Sequence, residues 1–169
     1  MEQNVLRVQK NKMPRNSYKR IQPDIDPIYK SFQVAKLINY VMQDGKKTVA
    51  EKIVYKTLEL LKLEDNDPLV TFNKAITNVI PNKEVRPRRL GGASYLVPTD
   101  VREERKLYLA LKWIVDAAKT RSNKEFKTFQ EKLSTEIKEA AKNQGKAIEK
   151  RLQTEKLAAQ NKAFAHLRW

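Results

Sequence analysis

Arg86, Arg88 and Arg89 crowd one short run that ends at a double glycine, Gly91-Gly92. A guanidinium is a planar fork of N–H donors matched to phosphate oxygens, so this grouping describes anion binding rather than bond-making chemistry. Two β-like runs flank the glycines. Lys83-Glu84-Val85-Arg86-Pro87-Arg88-Arg89-Leu90 comes before and Ala93-Ser94-Tyr95-Leu96-Val97-Pro98 after. Glycine takes positive φ without steric cost, which suits a tight hairpin turn. Alternation puts Glu84, Arg86 and Arg88 on one face of the first strand and Val85, Pro87 and Arg89 on the other. Pro87 has no N–H to give to a ladder, which fits an open edge and argues against a central strand. An ordinary surface turn with solvated arginines accounts for the same stretch in plainer terms. The basic chain around it favours a ribbon that reaches along or into nucleic acid.

Other chemistry is thinly provided for. His166 is the only histidine, and there is no cysteine. One histidine without a thiolate does not make the usual zinc shell, and no nucleophile-elbow motif accompanies it. Gly91-Gly92 lacks the lysine and hydroxyl that follow in a phosphate-binding loop of nucleotide hydrolases. The carboxylates sit mostly beside Lys or Arg on helix faces, where solvated pairs are the default. The expectation is a protein without catalytic site, metal or cofactor.

The ribbon must be held by helices. From Pro27, Phe32, Ala35, Ile38 (with Leu37) and Val41 or Met42 recur at helical spacing, with Asp44-Gly45 as the stop. A second helix from about Lys46 carries Val49, Ile53, Thr57 and Leu60 or Leu61 as its buried stripe. Asp67 and Pro68 supply the N-cap and first residue of a third, with Leu69, Phe72, Ile76 and Val79 inward. Pro81 ends it and opens the ribbon, expected over about residues 83–98. Pro98-Thr99-Asp100 is expected to cap helix four, whose stripe is Leu107, Ala110 or Leu111, Ile114 and Ala117 or Ala118. Trp113 reads as core packing before it reads as a base-stacking platform. Arg102, Arg105 and Lys106 oppose the dipole of that helix, partly offset by Glu103 and Glu104, and suggest an outside anion or plain solvation. A fifth helix is expected from about Asn123 to Gln144 on Phe126, Phe129, Leu133, Ile137 and Ala140 or Ala141, stopped by Gly145. A sixth runs from Lys146 to about Asn161 with a thin seam of Ile148, Leu152 and Ala159. The fold class is therefore mainly α: a single domain of about six helices over residues 27–169, with a protruding two-stranded β-ribbon between helices three and four.

The chain of 169 residues carries a net charge of +15, a balance that favours a polyanionic partner. Residues 1–26 hold Arg7, Lys10, Lys12, Arg15, Lys19 and Arg20 with little periodicity, and read as a basic arm that orders on phosphate or as a simple tail. No apolar run is long enough to span a bilayer, and the N-terminus lacks a signal-peptide core. Glu2 and the missing amphipathic stripe argue against a transit peptide.

Four separated segments, in one order, carry a resemblance. They are Val41-Met42-Gln43-Asp44-Gly45-Lys46-Lys47-Thr48-Val49-Ala50-Glu51, Arg88-Arg89-Leu90-Gly91-Gly92-Ala93-Ser94-Tyr95-Leu96-Val97-Pro98, Leu111-Lys112-Trp113-Ile114-Val115-Asp116-Ala117-Ala118 and Asn161-Lys162-Ala163-Phe164-Ala165-His166-Leu167-Arg168-Trp169. From about Met13 to Trp169 the chain resembles small-subunit ribosomal protein seven of the bacterial and organellar type. The resemblance implies six helices with a ribbon between the third and fourth. It also implies binding to the 3′ major domain of small-subunit rRNA, nucleation of head assembly, neighbouring head proteins as partners, and a ribbon near exit-site tRNA and mRNA, on a bacterial cytoplasmic or an organellar ribosome. Carried over by position, Arg15, Lys19, Arg20, Lys36, Lys46, Lys47, Arg102 and Arg105 would face rRNA. Lys83, Arg86, Arg88, Arg89, Gly91, Gly92 and Tyr95 on the ribbon, with Lys146, Lys150, Arg151, Lys162 and Arg168 at the C-terminal end, would face tRNA and mRNA.

This chain departs from the family pattern in places. Members often begin near a Met-Pro-Arg, found here at Met13-Pro14-Arg15, so Met1 to Lys12 is expected to be an extension. Pro87 replaces a small or basic residue, and Leu167 stands where an aromatic is usual. The rival reading is a DNA-bending architectural protein, which also uses β-ribbon arms; Gly91-Gly92-Ala93 is a poor intercalating wedge for it.

Overall fold

In a computed structural model that describes residues 24–63 and 67–167, the elements are α1 (Phe32–Val41), α2 (Lys47–Lys62), α3 (Pro68–Val79), β1 (Lys83–Leu90), β2 (Ala93–Asp100), α4 (Glu103–Thr120), α5 (Phe129–Ala141), α6 (Lys146–Gln160) and a terminal 3-10 helix, η1 (Lys162–Leu167). Arg15, Lys19, Arg20 and Arg168 lie outside the described residues. The mainly α class and the ribbon between helices three and four agree with the sequence reading. Three and a half turns of α5 run through the middle, packed on α2, α3, α4 and α6. Its Leu133 and Ile137 share one core with Val34, Leu37, Leu58, Leu61, Phe72, Val79, Leu111 and Ile114, almost without solvent exposure. Such side chains each contribute roughly 1.5–3 kcal/mol on burial, which makes this core the main driving force of the fold.

Several boundaries differ from expectation, each for a local reason. Helix α1 begins at Phe32, not Pro27: the buried Asp26 carboxylate accepts the backbone N–H of Ile28 (3.2 Å) and Tyr29 (2.8 Å) and the Tyr55 hydroxyl (2.7 Å), holding residues 26–29 in a turn against α2. Burial, and then the hydrogen bond to Asp26, push the Tyr55 hydroxyl well above its ordinary range. Helix α1 stops at Val41, before Gly45, whose φ of 72° serves the turn into α2. The stripe of α2 is Ala50, Val54, Thr57, Leu58 and Leu61, while Val49 is exposed. Apolar residues there come in adjacent pairs, so periodicity left the phase open by one position. On α3 the reading holds closely: Asp67 accepts the Leu69 N–H at 2.9 Å and Pro68 opens the helix.

Pro98, Thr99 and Asp100 do not cap α4. They belong to β2, and Arg102 is the N-cap residue, without a side-chain cap bond. Helix α5 starts at Phe129 rather than Asn123, because Thr128 and Glu131 form a capping box: each side chain accepts the other's backbone N–H, at 3.4 and 3.3 Å. Phe126 precedes the helix and lies 5.8 Å from the Arg121 guanidinium. The helix ends at Ala141, and Asn143 takes the left-handed turn with φ 58°. Gly145 is instead the N-cap of α6, at φ 93°, where a Cβ would stand 3.0 Å from carboxylate oxygens of both Glu136 and Glu139. The seam of α6 is Ala147, Ile148 and Ala158, with Leu152 and Ala159 exposed.

Beneath that glycine lies a buried polar knot. Glu136 is fully buried on α5. Its Oε2 accepts Arg121 through Nη2 (2.5 Å) and Nε (2.9 Å), and its Oε1 accepts the Ala147 N–H at 3.0 Å. Glu139 takes a further bond from Arg121. Lys132 donates to the Arg121 carbonyl at 2.8 Å and to Asn123. The knot joins the end of α4, the middle of α5 and the start of α6.

Candidate nucleic-acid interface

The ribbon is antiparallel, with Lys83 opposite Asp100 and Leu90 opposite Ala93. Gly91 and Gly92 form its two-residue loop at φ 53° and 88°. Positive φ at both positions is what a type I′ turn demands, and open space around each means that conformation alone selects glycine. Cross-strand partners share a face, so Glu84 with Thr99, Arg86 with Val97 and Arg88 with Tyr95 line one side. Lys83, Val85, Pro87 and Arg89 line the other.

The two ends of the ribbon differ. At the root, Glu84, Val97 and Pro98 are buried, and β1 rests on α6. The Asn82 N–H donates to Glu155 on α6 at 3.1 Å, and the Val101 N–H to the Asn82 carbonyl at 3.2 Å. Toward the tip, Pro87, Arg89, Gly91, Gly92, Ala93, Ser94 and Leu96 are exposed. Between root and tip, the Tyr95 ring meets Phe164 of η1 with centroids 5.4 Å apart and planes inclined at 54°. The terminal 3-10 helix thus braces β2 at its third residue.

Glu84 draws together two arginines expected to face different RNAs. Arg86 donates to its Oε1 through Nε (2.8 Å) and Nη2 (2.7 Å). Arg105, from the first turn of α4, donates through Nε to both oxygens, at 2.8 and 2.7 Å. Burial pushes the Glu84 carboxyl up, but the hydrogen bonds from Arg105 and Arg86 outweigh it and hold it below its ordinary value. The carboxylate therefore stays charged at neutral pH.

The remaining expected residues are spread over the surface. Lys36 lies over the Phe32 ring at 5.3 Å from its centroid. Lys46 and Lys47, at the α1–α2 junction, make loose pairs with Asp44 (4.0 Å) and Glu51 (3.9 Å). Lys83, Arg102, Lys150 and Lys162 are exposed, as is Lys146, whose Nζ reaches Thr120 at 3.5 Å. Arg151 turns inward, its Nη1 donating to the Asn78 carbonyl at 2.5 Å, so that nitrogen holds α6 to α3. The partners of Lys36, Lys46 and Lys47 given above, Phe32, Asp44 and Glu51, lie outside the ribbon strands. Glu84 and Phe164 were not assigned roles from sequence. The two-residue spacing of Glu84 and Arg86 on one strand face was the available signal for the first. Their meeting with Arg105 and Tyr95 is tertiary. Among the described residues no cluster of three or more His, Cys, Asp or Glu is placed to hold a metal ion, and no helix is long and apolar enough to cross a membrane.

Residues 10–162 match the family described as ribosomal protein S7p/S5e. The chain is 48% identical over 159 residues to small ribosomal subunit protein uS7 of Thermoanaerobacter pseudethanolicus, covering 93% of this chain and all of the relative. It is 49% identical over 158 residues to the protein of the same name from Thermotoga neapolitana, with coverage of 93% and 100%. With that of Dictyoglomus thermophilum it shares 52% identity over 145 residues, 85% of this chain and 91% of the relative.

Proposed function

The chain belongs to the ribosomal protein S7p/S5e family, and on that premise we propose that it is a structural protein of the small ribosomal subunit that binds the 3′ major domain of rRNA. It nucleates assembly of the subunit head, among neighbouring head proteins, and its ribbon contacts exit-site tRNA and mRNA. The work is scaffolding rather than catalysis, on the ribosomes of a bacterial cytoplasm. Arg15, Lys19 and Arg20 belong to an rRNA-binding arm, with Lys36, Lys46 and Lys47 engaging phosphates at the first helix junction.

The observation that carries this reading is the ribbon: buried and braced at its root and middle, exposed and basic toward its tip. Lys and Arg neutralise phosphate and release counterions, which gives affinity but little sequence information. Specificity then comes from the shape of a folded RNA junction engaged on separate faces. The test is a hydroxyl-radical footprint on a folded head-domain rRNA fragment, with wild type and with Gly91 and Gly92 both replaced by valine. Wild type protects a compact set of backbone positions. The double variant keeps its helical body, loses the ribbon's share of the footprint, and handles tRNA and mRNA poorly in reconstituted subunits. A variant that binds and functions as wild type contradicts the ribbon's role.

A further inference from the structure

We propose that Arg86, Glu84 and Arg105 form one phosphate-binding fork at the ribbon root, in which the buried carboxylate is the positioning residue and the two guanidinium groups take a single RNA phosphodiester. This rests on the rRNA-binding function above and deepens it.

The geometry has several parts. The Glu84 side chain is 8% exposed, whereas those of Arg86 and Arg105 are 43% and 45% exposed. The carboxylate thus grips each guanidinium from the protein side while part of each remains open to solvent. Arg86 spends Nε and Nη2 on Glu84, and Arg105 spends Nε. Nη1 of Arg86, and both Nη groups of Arg105, are not used in the bonds to Glu84. Two cations sharing the same carboxylate oxygen leave a local charge of about +1, directed outward. Without Glu84 the two guanidinium groups would repel one another and each would sample its own rotamers. Fixing them before RNA arrives removes that ordering cost from binding. The strands add rigidity: Glu84 and Arg86 are two residues apart on one face, and Arg105 comes from a helix seated on the core.

The inference opposes what charge alone demands. Glu84→Gln raises the net charge by one and removes an anion from a nucleic-acid surface, so unfocused electrostatics predicts tighter binding everywhere. The fork predicts a split. Glu84→Gln should bind a folded head-domain rRNA fragment roughly tenfold more weakly, while its affinity for duplex DNA of similar length is unchanged or higher. Arg105→Lys keeps the charge but loses the planar donor edge, and should show the same split without any change to the carboxylate. Both are measured by equilibrium binding across a salt series, beside wild type, with thermal unfolding as the check on folding. If either folded variant binds the rRNA fragment as tightly as wild type, the fork is overturned. If wild type itself does not distinguish the rRNA fragment from duplex DNA, the rRNA-binding function fails instead. Should Glu84→Gln not fold, Arg105→Lys decides the matter alone.

Discussion

The molecule contains two clusters of arginine and glutamate, and they are built in opposite senses. In the knot under α5, one arginine meets two glutamates: Arg121 is 13% exposed and Glu136 not at all. Its donors turn inward to Glu136 and Glu139, and the second oxygen of Glu136 holds the start of α6. At the ribbon root, two arginines meet one glutamate, and both keep more than two fifths of their side-chain surface. The first cluster turns its charges inward, with Lys132 beside Arg121 against Glu136 and Glu139, and it fastens three helices. The second is open and cationic, and its arginines face solvent. Stoichiometry and exposure, rather than the residue types, separate an ion pair that holds a fold from one that prepares a binding site.

This contrast can be broken from either side. The largest effect is expected for Glu136→Ala, which leaves the Ala147 N–H unpaired in the interior and Arg121 with Glu139 as its remaining carboxylate. Breaking one side of a buried pair costs about 3–5 kcal/mol, measurable as a lower midpoint in urea denaturation. The equivalent Glu84→Ala change should cost clearly less stability, because its arginines can turn to water. Equal losses at the two sites would erase the distinction. Gly145→Ala should follow, at about 1–3 kcal/mol, since it combines a left-handed φ with a contact 3.0 Å from two carboxylates. Gly91→Ala shares only the conformational strain and should cost less.

Acid sharpens the comparison further. The folded-state pKa of Glu84 is depressed, so its contribution is present above the ordinary glutamate range and is lost as pH falls through the folded value. The stability difference between wild type and Glu84→Gln should therefore be full at pH 7 and shrink below about pH 4. A difference that grows on acidification would contradict the sign. A smaller effect belongs to Phe164→Ala, which removes a ring contact worth about 0.5–1.5 kcal/mol. Amide exchange should quicken near Tyr95 and Leu96 while core amides of α5 keep their protection. Smallest is Lys46→Ala: loss of one exposed phosphate contact should lower the salt slope of rRNA binding by about one and leave stability unchanged.

Much of the architecture was legible in the sequence because it is written locally. Asp67-Pro68 starts α3, Pro81 opens the ribbon, and Gly91-Gly92 sets its turn by φ alone. Where adjacent apolar residues doubled the stripe, as on α2, phase was lost by one position. Where a side chain reached back to a neighbouring backbone, as Thr128 and Glu131 do, the helix started later than periodicity suggested. The cations of the interface were also visible as types, but their organisation was not. Glu84 and Arg105 are 21 residues apart, and only the packing of α4 beside the ribbon brings them to hydrogen-bond distance. Tyr95 and Phe164 meet through the return of η1 onto β2, which no local pattern encodes.

On the proposed function, a basic ribbon braced at its root recognises the shape of folded small-subunit rRNA. The direct measurement is the affinity of the wild-type protein for a folded head-domain rRNA fragment and for duplex DNA of similar length, across a salt series. The account predicts rRNA binding that persists at salt concentrations where DNA binding has collapsed. Equal affinities and equal salt slopes would mean that charge alone is acting, and would return the DNA-bending reading to the front.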